Sequence, residues 1–234
     1  MSHLHIPDGI LPPILWIAGL VVTALLLLWS AFVTRGLGAR GIAFQSALGG
    51  IMLAVMALPI PITAFDYCMT LAGPIGVLLG PASAFQLCFV VTLILALLGQ
   101  GGFTVIGLNA LVLGLSAVAA RPVYRLLCRG LGAPGAMAAA TAVSQLGATL
   151  LWGGLLALSV RLSPHVTGDE QAIHQVVHIA HGVGLIVMIG LLLLAVALES
   201  LLGYGLAGFL ERVRPELLPF RDRMAPPPAA GARR

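Results

Sequence analysis

Six long apolar runs, separated by short stretches of arginine, glycine and proline, organise this chain. They fall at about Ile14–Thr34, Gly41–Ile62, Ala82–Leu98, Phe103–Val123, Ala136–Val160 and Ile173–Leu210. A hydrocarbon core of about 30 Å takes roughly 20 helical residues to cross, and no run alternates with the period of a barrel strand. The pattern predicts an all-α polytopic membrane protein. The last run is too long for one simple crossing at about 1.5 Å per residue, so it is expected to project beyond the bilayer or to bend near Gly182 or Gly184.

Two stretches depart from plain apolar helix. Ala43, Ala47, Gly50 and Ala54 form a small-residue stripe at helical spacing, of the kind that lets another helix approach closely. Pro59 to Pro81 holds four prolines, several glycines and Asp66 within otherwise apolar sequence, so the helix is broken there. Non-helical backbone at membrane depth survives only where protein buries it or a cavity hydrates it, which makes a broken segment with an ionisable residue a site candidate. An ordinary polar surface loop is the plainer alternative.

Composition agrees with lipid: 59% of the 234 residues are hydrophobic and 9% are charged, with a mean hydropathy of +1.07. All 12 basic residues are arginine. The absence of lysine excludes a P-loop phosphate site and a lysine Schiff base. The net charge of +4 sits near helix ends and in the tail, as membrane orientation requires, and gives no reason to expect nucleic acid. Cys68, Cys88 and Cys128 have no paired spacing, so no disulfide framework is implied.

Arginine placement also predicts a topology, because short arginine-rich loops stay cytoplasmic. Three groups must share one side: Arg35 and Arg40; Arg121, Arg125 and Arg129; and Arg212, Arg214, Arg221 and Arg223. Parity allows this only if the broken segment before Pro81 also crosses, which gives about seven transmembrane helices. The N-terminus, the region of Asp66 and Cys68, and the start of the last helix then lie outside, and the C-terminus inside. Residues 1–214 are expected to form one membrane domain, with a leader over 1–13 and a helical bundle over 14–214. Residues 215–234, rich in proline, read as a disordered cytoplasmic tail.

Candidate chemistry concentrates on the outer side. Five of the six histidines fall in two stretches, His3 with His5 and His174 with His178 and His181. On a helix of about 100° per residue the last three share a face, and Glu199 falls on the same face. Imidazoles grouped with a carboxylate or thiolate suit late first-row divalent metals. Histidines resting in the membrane interface, and a glutamate anchoring helix packing, are the competing readings. A free amino terminus, intervening amides and an imidazole at position two or three can wrap nickel(II) or copper(II) in a plane of nitrogens. Ser2-His3 meets that requirement whether or not Met1 is removed.

The run His5-Ile6-Pro7-Asp8-Gly9 with Leu11 and Pro12 resembles the amino-terminal signature of the CbiM/NikM family, substrate-capture subunits of energy-coupling-factor transporters for cobalt and nickel. Gly101-Gly102-Phe103-Thr104-Val105-Ile106-Gly107-Leu108-Asn109 is similar to that family's Gly-Gly-x-Thr-x-x-Gly-x-Asn, and Leu79-Gly80-Pro81 resembles another of its landmarks. The resemblance implies a nitrogen-rich pocket near the outer surface, a transmembrane coupling subunit, ATPase subunits and a small accessory membrane subunit as partners, and the bacterial inner membrane as the location. The transported Co2+ or Ni2+ is the substrate, and no prosthetic group is expected. Two departures matter. Four residues precede His5, which aligns with the family's second-position histidine, and Cys68, beside Asp66 and Tyr67, stands where a second histidine is expected. A thiolate there suits nickel, cobalt, zinc or copper(I).

The metal site is therefore expected at Ser2, His3, His5, Asp66 and Cys68, with His174, His178, His181 and Glu199 as a secondary path, and the stripe Ala43, Ala47, Gly50 and Ala54 as partner docking face. Two enzyme readings compete. One is an intramembrane serine protease, with Ser116 as nucleophile and His178 or His181 as base. The other is a membrane metalloenzyme built on His174, His178 and His181, which has only one histidine box where such enzymes need several.

Overall fold

The computed structural model describes residue 8 and residues 11–58, 60–62, 65–162 and 183–220. In chain order these hold α1 (Pro13–Val33), α2 (Ala39–Met56), a two-stranded antiparallel hairpin of β1 (Ile60–Ile62) and β2 (Phe65–Tyr67), α3 (Ala72–Leu79), α4 (Pro81–Leu97), α5 (Ile106–Leu162), α6 (Val183–Val213) and a short 3-10 turn at Pro215–Leu217. The fold is the all-α polytopic one the sequence predicts. Among the described residues α1, α2, α5 and α6 are long and apolar enough to cross a membrane, and α4 is a shorter apolar helix. The hairpin is an addition that the hydropathy pattern gives no hint of. It pairs Pro61 with Asp66.

α1 shows how lipid inverts the usual pattern of burial. Pro13 starts it, where a missing N–H costs nothing. Its buried residues are Gly19, Thr23 and Ser30, whereas Ile14, Leu25, Leu28, Trp29 and Phe32 are exposed. Apolar side chains lose nothing by facing acyl chains, so the packed face is the one with small residues that allow close approach. A Cβ at Gly19 would come 2.5 Å from the Leu108 side chain, and one at Gly107 would come 2.7 Å from the Leu20 backbone. Thr23 Oγ1 donates to the Gly107 carbonyl at 2.8 Å, which fixes α1 along the start of α5.

α5 is two limbs rather than one rod. Gly132, at φ 70 and ψ 177, breaks the helical backbone, and the chain doubles back there. The short α3 lies between the limbs: Gly76 faces Ala117 before the break, and Gly73 faces Thr141 after it. Gly203 of α6 meets the same Thr141 hydroxyl. With eight residues, α3 spans only about 12 Å. The broken segment accordingly makes its passage along α5 as an extended stretch followed by this helix. Residues Ala72 to Val77 are all buried, among α4, α5 and α6.

Side-chain bonds align the helix ends. Gln100 Nε2 donates to the Ala57 carbonyl at 3.4 Å, so the loop after α4, the end of α2 and the hairpin share one end of the bundle. At the other end Gln86 Nε2 donates to Thr34 Oγ1 at 3.0 Å, and Gln45 donates to the Ser83 carbonyl at 3.3 Å. Arg35 and Arg40 belong to this second end. Arg121 reaches it as well, abutting Gly80 at the α3–α4 junction. Arg121 and Arg125 stack over the Phe220 ring at 5.7 and 5.5 Å. The packed chain thus runs on past residue 214, because Leu218 is buried against Tyr124, Cys128 and Ala133. Arg161 is the described arginine that lies at the end of α5 away from this group.

Candidate functional site

The two motifs that stand 95 residues apart in sequence meet at the end of the bundle that holds the loop after α4. Asp8 Oδ2 accepts the Phe103 N–H at 2.9 Å, and its Oδ1 accepts the Thr104 N–H at 2.8 Å and the Thr104 hydroxyl. These donors precede Ile106, where α5 begins, so the carboxylate sits where a helix start offers unpaired N–H groups to an anion. Gly102 makes room for it: a Cβ there would lie 2.6 Å from both the Asp8 nitrogen and Oδ1. Three residues on, Leu11 is buried with Val105 and Leu108, and Trp16 and Trp152 pack around them. Asp8 is therefore seated by an ionic-polar contact and Leu11 by an apolar one.

Electrostatics follow from this seat. Desolvation pushes the Asp8 carboxyl up, but the hydrogen bonds from the Thr104 side chain and from the Phe103, Thr104 and Val105 N–H groups outweigh it. The net result is a pKa below the ordinary carboxylate value. Asp8 remains exposed, so it is a hydrogen-bonded anion at the surface rather than a buried charge.

At the same end, the chain leaves β2 through Cys68, a buried free thiol at 5% exposure. Met69 and Thr70 lead from it to Leu71, whose φ of 53 is left-handed, a conformation that a leucine keeps only where its surroundings enforce it. Thr70 is the fixed point. Its N–H donates to Glu199 Oε1 at 2.7 Å, and its hydroxyl lies 3.1 Å from Oε2 and 3.4 Å from Oε1. The same hydroxyl oxygen accepts the Ala72 N–H at 3.3 Å. Glu199 is fully buried, turned into the bundle from α6.

Asp66 lies on β2 opposite Pro61, two residues before Cys68. Glu199 joins the segment carrying Cys68 through Thr70. Ser2, His3, His5, His174, His178 and His181 lie outside the described residues. Among the described residues no three His, Cys, Asp or Glu side chains form a group that could hold a metal. Ala43, Ala47, Gly50 and Ala54 are all exposed on α2, and a Cβ on Gly50 would meet nothing within 4 Å. Ser116 donates its hydroxyl to the Leu113 carbonyl of its own helix at 2.7 Å. Sequence reasoning missed Asp8, Gly102, Thr104 and Thr70 as individual actors. The signal for the first three was present, since all are letters of the two motifs, but nothing in either motif says that it binds the other.

Residues 5–217 match the family described as CbiM, cobalt uptake substrate-specific transmembrane region. Two solved structures are similar in fold. A truncated transition metal transporter is 15% identical, with a TM-score of 0.62, covering 88% of this chain and 98% of its own. A transition metal transporter is 17% identical, with a TM-score of 0.57, covering 89% of this chain and 93% of its own. No curated protein sequence matches the chain.

Proposed function

The chain belongs to the CbiM family of cobalt uptake transmembrane regions, a metal-transporter component and not an enzyme, and from that premise we propose that it captures Co2+ or Ni2+ at the end of the bundle where its leader is seated. Energy then comes from partner subunits of an energy-coupling-factor transporter, a transmembrane coupling chain with its ATPases, aided by a small accessory membrane subunit. The observation that carries the reading is the docking of Asp8 on Phe103 and Thr104, at the same end as Cys68. It supports a capture site assembled from Ser2, His3 and His5 of the leader and from Cys68 and Asp66 of the broken segment. His174, His178 and His181 serve as an entry path.

Imidazole and amide nitrogens beside a thiolate give a donor set suited to late first-row divalent ions, and it must be deprotonated to bind them. Titrating the purified chain with Co2+ and Ni2+ should give one tightly bound ion per chain, with at least tenfold weaker binding in His5→Ala. Failure of the wild type to bind either metal would sink the reading.

The gathering of Arg35, Arg40, Arg121, Arg125, Arg212 and Arg214 at the opposite end supports an orientation in the bacterial inner membrane with that end cytoplasmic. The exposed stripe Ala43, Ala47, Gly50 and Ala54 is the face we assign to the coupling subunit. Ala47→Trp should cut Co2+ uptake by the assembled transporter several-fold while leaving metal affinity of the isolated chain unchanged. Equal loss of both would argue against this face.

A further inference from the structure

Glu199 ties the last helix to the segment that carries Cys68. We propose that Glu199 is a positioning residue of the capture site: by holding Thr70 from the side of α6, it fixes the backbone of residues 68–71 and with it the Cys68 thiol. The proposal rests on the reading of Cys68 as a metal ligand.

The geometry suits this role. Glu199 is 0% exposed, whereas its neighbours Leu198, Leu201 and Leu202 are exposed, so the carboxylate is the inward residue of its turn. Both of its oxygens are engaged by Thr70, through the N–H at 2.7 Å and the hydroxyl at 3.1 Å. Thr70 then accepts from the Ala72 N–H at 3.3 Å. This chain of bonds brackets Leu71, whose φ is 53, and a leucine holds that conformation only where both sides of it are pinned.

The rest of the segment is pinned by other means. Gly73 sits against the Thr141 backbone with room for no Cβ, as a contact of 2.6 Å would result, and a Cβ at Gly203 would lie 2.7 Å from the hydroxyl of the same threonine. Loss of the carboxylate therefore acts on residues 68–71, above these contacts, and leaves the packing of α3 below them in place. An apolar side chain would serve helix packing as well at a buried position in an apolar run. What it could not do is hold Thr70.

The test is a Co2+ titration of the full chain in detergent, read by affinity and by the thiolate-to-cobalt absorption band, with melting temperatures of the metal-free proteins. Glu199→Leu and Thr70→Val should each weaken Co2+ binding tenfold or more and alter the band. The double variant should lose no more than the worse single one, as coupled partners do. Thr70→Ser, which keeps the hydroxyl, should bind within threefold of wild type. Wild-type affinity and band in Glu199→Leu, with both lost in Cys68→Ala, overturns the positioning role alone. Wild-type affinity in Cys68→Ala overturns the ligand reading, and the positioning role with it. If Glu199→Leu does not fold, Thr70→Val decides: unchanged binding overturns the proposal.

Discussion

Gly76→Ala should destabilise the bundle by at least about 3 kcal/mol, which places it among the severe single substitutions. A Cβ at Gly76 would overlap the Ala117 carbonyl oxygen and come 2.6 Å from its carbon. The obstacle is backbone, which cannot swing aside as a side chain can, so α3 or the first limb of α5 must move. Either shift also disturbs Gly73 against Thr141 on the other side. Elsewhere the same substitution should help, because glycine in a helix interior costs roughly 0.5–1 kcal/mol relative to alanine. Gly147, on the second limb of α5, has open space where its Cβ would be. Denaturant unfolding in detergent should therefore give opposite signs for Gly76→Ala and Gly147→Ala. Similar stabilities for the two would mean that α3 does not lie on Ala117.

Asp8→Ala should weaken Co2+ binding roughly 100-fold with little change in the unfolding of the helices. Leu11 keeps its apolar seat against Val105 and Leu108, but the leader before it loses the carboxylate that accepts from Phe103 and Thr104. Metal binding must then supply the ordering of leader residues itself. Each costs about 1–2 kcal/mol of conformational entropy, so freeing two of them costs about 2–4 kcal/mol, a factor of about 30 to 1000 in affinity. Gly102→Ala should act in the same direction, since its Cβ would enter the space of Asp8.

The pH dependence separates this carboxylate from the imidazoles. Because the folded pKa of Asp8 lies below its ordinary value, its contribution is complete above that ordinary value and is lost as pH falls through the lowered one. An imidazole ligand ordinarily takes up a proton between about pH 7 and pH 5, so metal affinity should fall equally there in wild type and Asp8→Asn. The ratio of the two affinities should stay constant there and shrink only in stronger acid. A ratio that collapses already near pH 6 would remove Asp8 from the role of leader anchor.

Much of this architecture is legible in the chain, and the unread parts have identifiable causes. Hydropathy exposes the long helices because lipid selects for apolar length. Prolines and glycines mark the broken segment between Pro59 and Pro81, yet strands of three residues are too short for any alternation to register. The double-back at Gly132 is legible, since Gly130, Gly132, Pro134 and Gly135 part the runs Phe103–Val123 and Ala136–Val160, although only one residue leaves the helical region. The site is harder still. Asp8 and Thr104, or Thr70 and Glu199, are 96 and 129 residues apart, and periodicity carries no information about which distant turn a carboxylate will meet. The reach of the packed chain to Phe220 was concealed by proline-rich composition, which reads as solvated coil even where Leu218 is buried.

The inverted burial of α1 has a wider consequence for how such a chain can change over time. Its identity as a packed element resides in Gly19, Thr23 and Ser30, while the bulky residues around them need only be greasy. Most positions of the helix are interchangeable letters, and the specification of the fold is written in a sparse set of small ones. Lineages sharing this architecture are free to drift across nearly the whole lipid-facing surface, keeping a common shape long after their sequences have ceased to look alike.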